Sequence, residues 1–177
     1  MNTVWMLLLM MLNCLPSRDK NNLIDWDPSR RLVWEDFQAS ADDRSANAAL
    51  TSTTLKFSYS YREGKLTCHI LCQFDKSRSW GRVRNPYILS HEQGHFDIAE
   101  INARKFNQSL KQYRIGELSS LPGDLNGMYE KAMNQLKQQQ ESYDRETRNS
   151  LDTAGQEKWL RKISDQLREL EAFAGYH

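Results

Sequence analysis

His91-Glu92-Gln93-Gly94-His95 is the segment whose residue types and spacing point most directly to chemistry. On a helix, residues i and i+4 stack on one side, so two imidazoles four apart converge on one point. Zinc accepts such nitrogens at about 2.0–2.1 Å and, in catalytic sites, keeps one position open for water. Glu92 can reach that water, take its proton as it attacks a carbonyl, and pass the proton to the leaving amine. The pattern predicts Zn2+ held by His91 and His95, with Glu92 as general base. The plain alternative is a helix with two surface or capping histidines. Against it, both histidines share a stripe with Ile88, Ala99, Phe106 and Leu110, which is an inward face. Imidazoles on such a face need partners for their polar atoms. The chain has four histidines, so half of them lie in this one turn.

A third ligand must come from elsewhere. Asp97 lies about 200° around the helix from His95, and Glu100 about 140°, so neither points with the histidines. Both read as surface charges or as residues behind the ligands. The following helix is the better source. If it runs antiparallel, a descent from Asp124 that matches the climb from His95 to Tyr113 ends at Tyr143-Asp144-Arg145-Glu146. Asp144 is the first choice, as a ligand or as the partner of a ligand histidine, and Glu146 the next. Tyr143 at that level could donate to a developing oxyanion, or fill an apolar helical position in the core.

The elements that must position these residues can be read from periodicity. Residues 23–26 and 31–34 read as strands around the turn Asp27-Pro28-Ser29-Arg30, and residues 35–47 as loop or short helix. Residues 50–61 alternate with period two through Leu55, Phe57, Tyr59 and Tyr61, then turn at Arg62-Glu63-Gly64-Lys65 and return over residues 66–74. A polar loop covers residues 75–86. The period then changes to that of a helix from Tyr87 to about Arg114, with Gly116 as the stop. Leu121-Pro122-Gly123-Asp124 reads as a turn, with Asp124 capping a second helix that reaches Tyr143. A loop over residues 145–152 leads to a last helix over residues 153–173. The fold class is α+β: a small antiparallel β-sheet followed by a three-helix layer, with H-E-x-x-H on the first long helix in a zincin-like arrangement.

Residues 4–12 are almost unbroken apolar chain, too short for a bilayer span, which needs roughly 20 residues. They fit the apolar region of an export signal, although no Lys or Arg precedes them. Cys14 follows where a bacterial lipoprotein carries its acylated cysteine, but Asn13 stands where a small residue belongs. The domain reading is an export segment at residues 1–16 and a single domain at residues 17–177. The protein is then exported: periplasmic, secreted or lipid-anchored, with the membrane touched only through Cys14. Cys68 and Cys72 lie about 13 Å apart on one straight strand, beyond disulfide reach. Strand alternation also sends His69 to the opposite face, which argues against a Cys68-His69-Cys72 metal cluster. With 24 basic and 23 acidic residues, the chain has no charge excess to hold a nucleic acid.

The stretch Leu89-Ser90-His91-Glu92-Gln93-Gly94-His95-Phe96-Asp97-Ile98-Ala99-Glu100, followed by Ala103-Arg104, resembles the DUF922 family of bacterial proteins, described as secreted zinc-dependent proteases. Trp34-Glu35-Asp36-Phe37, Thr51-Ser52-Thr53-Thr54, Ser79-Trp80, Tyr143-Asp144-Arg145-Glu146-Thr147 and Gln156-Glu157-Lys158-Trp159 look like the same family, so the resemblance spans most of the chain. It implies His91 and His95 for metal and Glu92 for catalysis. The family pattern places His-Gly after its Tyr-Asp-x-x-Thr segment, and here Asn149-Ser150 stands there. A histidine at that place would suit a third zinc ligand, and Asn149 is a weak substitute. If Asp144 or Glu146 is the ligand, the change is peripheral.

The leading expectation is a zinc-dependent peptidase acting on a peptide or protein substrate. A zinc-binding but non-catalytic envelope protein, and an interaction domain that has lost the metal, are the alternatives. Glu92 favours the first and Asn149 the other two.

Overall fold

The computed structural model describes residues 22–176; the expected export segment and Cys14 lie outside the described residues. The architecture is α+β. Strands β1 (Leu23–Asp25), β3 (Thr53–Arg62) and β4 (Lys65–Asp75) form one antiparallel sheet in the order β1-β4-β3. Two short strands, β2 (Ala49–Leu50) and β5 (Trp80–Gly81), form a second antiparallel pair. Three helices follow: α1 (Pro86–Gln112), α2 (Leu121–Thr147) and α3 (Thr153–Glu169). Helix α1 packs against β3 and β4 as well as against α2 and α3, so it runs through the middle of the molecule.

The hairpin forms as its alternation predicts. Register runs from Thr53↔Phe74 to Arg62↔Lys65. Its two-residue loop has φ of 51° at Glu63 and 78° at Gly64, the doubly positive pair that matches strand twist in tight hairpins. Along β4, Ile70, Cys72 and Phe74 are buried against the helices while His69 and Leu71 face outward. Cys68 and Cys72 are free thiols on the face opposite His69. Helix α1 begins where Asn85 accepts from the Ile88 amide at 2.9 Å, with Pro86 supplying a helical φ where no N–H is needed.

Several local expectations fail for identifiable reasons. Residues 31–34 are not a strand. The Leu32 amide donates to the Gln93 side chain at 2.8 Å instead of to a neighbouring strand, and the chain turns through a 3-10 segment, Trp34–Asp36. Residues 121–124 are not a turn but the first turn of α2, where Pro122 costs no hydrogen bond. Asp124 does not cap that helix; it accepts from the Tyr113 and Ser120 hydroxyls at 2.7 and 3.0 Å. The last helix ends at Glu169, with a separate 3-10 turn, Glu171–Phe173.

Asp97 and Glu100 are not surface charges; they are 3% and 1% exposed. The segments before β2 and after α3 cover the face of α1 opposite the histidines. Asp97 accepts from the Trp26 indole at 2.9 Å, from Gln93 at 2.7 Å and from Arg31 at 3.1 Å. Glu100 pairs with Arg104 at 2.8 Å and accepts from the Tyr176 hydroxyl. Periodicity shows which face of a helix turns inward, but not whether a terminal segment returns to bury the other.

Candidate metal centre

One turn of α1 carries His91 and His95, and their rings meet nearly edge to face, with centroids 4.9 Å apart. Their Nε2 atoms are 3.2 Å apart. Helix α2 runs antiparallel to α1 and brings Asp144 to the same point. Asp144 Oδ1 lies 3.2 Å from His91 Nε2 and 3.0 Å from His95 Nε2. Among the described residues these three form the one cluster of His, Cys, Asp or Glu donors close enough to share an ion. Donors around a tetrahedral zinc, each at about 2.0–2.1 Å, lie roughly 3.3 Å from one another. The observed spacings fit that size.

The two rings are held in different ways. His95 Nδ1 donates to Gln140 Oε1, while Gln140 Nε2 donates back to the His95 carbonyl at 2.9 Å. In a neutral ring that pair of bonds leaves the Nε2 lone pair facing the cluster, free for a metal; protonated, the same Nε2 donates to Asp144. His91 Nδ1 is buried without a partner. Its ring is instead fixed by stacking on Tyr143, at 4.5 Å between centroids and 16° between planes. Tyr143 is wholly buried, and its hydroxyl donates to the His91 carbonyl at 3.2 Å. The expected oxyanion role of Tyr143 is therefore corrected: the hydroxyl is spent on the backbone of α1 and does not reach the cavity. Glu146 also leaves the cluster, accepting from the Trp159 indole at 3.0 Å on the α3 side.

Gly94 sets how closely α1 and α2 approach. A Cβ there would meet the Tyr143 hydroxyl and lie 2.8 Å from its Cζ. Tyr143 cannot give way, because it is 0% exposed. Gly94→Ala gains up to about 1 kcal/mol of helix propensity but overpacks the interface at about 1–3 kcal/mol. We expect a net loss of stability, read as a lower urea midpoint with unchanged slope. An unchanged or higher midpoint would show that the two helices can separate here at no cost.

Glu92 is 4% exposed and its Oε2 has no hydrogen-bond partner. Burial raises its pKa, more than His95, Thr51 and His91 lower it. Burial also acts against ionised Asp144, but hydrogen bonds from His91 and His95 and their charge hold its pKa well below the usual carboxylate range. For His95 burial pulls the pKa down, and the hydrogen bond and charge of Asp144, with Glu92 and Gln140, outweigh it to leave the pKa raised. In Tyr143, burial first, then the charges of Glu92 and Asp144, push the phenol far above its ordinary value.

A cavity of about 370 Å³ opens over these groups. Its floor is His91, Glu92 and His95; one wall is residues 47–53; the other includes Asp144 and Asn149. The Thr51 hydroxyl donates to the Glu92 carbonyl at 3.2 Å and ties the wall to the floor. Asn149 is exposed at the cavity rim. It belongs to a run of three residues in left-handed backbone, with φ of 50°, 50° and 66° at Arg148, Asn149 and Ser150, a costly conformation without glycine. The Asn149 amide donates to the Asp144 carbonyl at 2.8 Å, so the strained turn also closes the end of α2.

The sequence reading missed Gln140, the position of the 47–53 wall over the histidines and the left-handed backbone of residues 148–150. Gln140 had one usable signal: it precedes Asp144 by four residues and so shares its helical face. The wall had only the family-like Thr51-Ser52-Thr53-Thr54 segment, and its place over the histidines depends on long-range pairing that no local pattern encodes.

The profile of a family described as a bacterial protein of unknown function (DUF922) matches residues 30–150, more than half of the chain and all of the site. No curated protein and no solved structure matches the chain.

Proposed function

We propose, from the premise that this chain belongs to the DUF922 family of bacterial proteins, that it is a zinc-dependent peptidase. One observation carries the reading. Three donors, His91, His95 and Asp144, lie 3.0–3.2 Å apart, and a buried carboxylate with an unpartnered oxygen, Glu92, borders the same cavity. A zinc ion bound there supplies a Lewis acid and lowers the pKa of water at its open position.

The chain's own residues do the rest. Glu92 accepts the proton of the attacking water and delivers it to the leaving amine. Gln140 fixes the His95 tautomer, and Tyr143 fixes the plane of the His91 ring. Both are positioning residues. Two neutral imidazoles and one carboxylate leave a bound divalent ion with a net positive charge, which suits stabilisation of a developing oxyanion.

Asn149 supports a second reading. It lines the cavity at the position where the family resemblance leads one to expect histidine, as in a protein that keeps the ion without turning over a substrate. The test has two stages. Purified protein should contain close to one zinc per chain by elemental mass spectrometry. It should also cleave peptides from a whole-proteome digest, and lose that cleavage with a chelator. Protein without zinc, even after incubation with it, sinks both readings; zinc without cleavage leaves only the second. Export through residues 4–12 belongs to the same proposal, and predicts a mature N-terminus at or near Cys14 when intact mass is measured on protein from native cells.

A further inference from the structure

Along residues 48–55 a row of backbone hydrogen-bonding groups, unused among the described residues, stands beside the candidate metal centre. In a strand, the N–H and C=O of one residue point to the same side, and those of the next residue to the other. The even-numbered residues are all engaged on one side. The Ala48 carbonyl accepts from the amides of Arg82 and Val83 at 2.8 and 3.0 Å. Leu50 pairs with Trp80. The Ser52 amide donates to the Ser79 hydroxyl at 2.9 Å, and its carbonyl accepts from Asp75 at 2.8 Å. The odd-numbered residues face the other way. Leu55 shows where: its carbonyl accepts from the Tyr129 hydroxyl of α2 at 2.7 Å. Because β3 is the outer strand of its sheet and β2 pairs only with β5, no strand among the described residues covers that side. The amides and carbonyls of Ala49, Thr51 and Thr53 therefore point across the cleft toward α2 with no partner among the described residues, and all three residues line the cavity above His91, Glu92 and His95.

We infer that this edge holds the substrate: an extended peptide segment adds as a strand along residues 49–53 and is thereby laid across the metal centre. This rests on the peptidase reading and names its substrate class more narrowly, as a chain extended for several residues on either side of the scissile bond. The recognising chemistry is specific to a peptide. Donor and acceptor recur every second residue, about 6.6–6.8 Å apart, and another extended backbone repeats at that spacing. The Thr51 hydroxyl bond to the Glu92 carbonyl fixes the edge against the turn that carries the base, so the bound backbone and Glu92 keep a set relation. Leu50, on the same segment, is 36% exposed.

The test uses the zinc-loaded full chain and its best-cleaved peptide from the proteome digest, resynthesised with one backbone amide N-methylated at a time. Methyl groups on amides that face the edge leave a protein partner unpaired, and kcat/KM should fall about 5- to 100-fold at those positions. Amides facing away should tolerate the change, so sensitivity alternates along the peptide. As a second arm, Ala49→Pro removes an amide that serves no strand pair, and should raise KM more than it lowers kcat. Cleavage with flat or non-alternating sensitivity overturns the edge while leaving the hydrolase standing. No cleavage of any peptide in the digest overturns the peptidase reading and the edge with it. A dimer in solution whose residues 49–53 are protected from hydrogen exchange without peptide also overturns the inference, since a second copy of the chain then holds the edge.

Discussion

Glu92→Gln should lower peptide cleavage by about 10²–10⁴-fold while the protein retains close to one zinc per chain. The substitution keeps the shape of the side chain and removes its basicity. Glu92 is not among the three converging donors, so the ion should stay. It is buried by α1 and the 47–53 wall, and Oε2 meets no protein donor, so loss of the negative charge strands no cation. Folding should therefore hold, and the thermal midpoint should stay the same or rise slightly as the desolvation of a buried carboxylate disappears. Cleavage at the wild-type rate would remove Glu92 from the mechanism. Loss of zinc along with activity would move it into the coordination sphere.

Asp144→Ala should weaken zinc binding by more than about 100-fold. Loss of a residue that merely orients a ligand costs roughly 10–100-fold, so the size of the effect separates the two roles the sequence left open for Asp144. Gln140→Leu supplies the calibration within the same protein. The Gln140 side chain hydrogen-bonds His95 Nδ1 and the His95 carbonyl, and its loss should fall inside the 10–100-fold range. Competition titration with a chromophoric chelator measures both variants. Equal, modest losses for the two would make Asp144 an orienting residue and leave the third position to another group. Asp144 is paired with both histidines, so its removal also unbalances one buried and one half-buried imidazole. Circular dichroism of the metal-free variant therefore has to show intact helices before the affinity is compared.

These two outcomes bear on Asn149 as well. If Asp144 completes the set of ligands, Asn149 is free to serve the rim of the cleft, and the departure from the family pattern does not by itself imply loss of metal. The strained backbone of residues 148–150 then has a structural account: it closes α2 one turn beyond Asp144 and returns the chain toward α3.

Much of this was legible in residue order because it is local. The His91–His95 pair needs only the pitch of a helix, and the β3–β4 hairpin only its alternation and Gly64. The approach of Asp144 was legible more loosely, by matching the lengths of two helices joined by a short connection. What failed at short range failed by competition: Leu32 gave its amide to Gln93 rather than to a strand, and Pro122 entered a helix at the one end where proline is harmless. Asp97 and Glu100 do point away from the cluster, and only their reading as surface charges failed, because helical angle predicts direction and not cover.

The sequence by itself determined that two imidazoles and a carboxylate share one turn of one helix, since a 3.6-residue period is a property of the backbone wherever the helix lies. Tertiary structure decided what that turn faces. Asp144, 53 residues away, reaches His91 because Gly94 lets Tyr143 press against α1. The free edge at Ala49, Thr51 and Thr53 comes to lie over the site through pairing with β4 and β5 on its other side. Such contacts depend on packing between distant segments, and no periodicity within either segment encodes them.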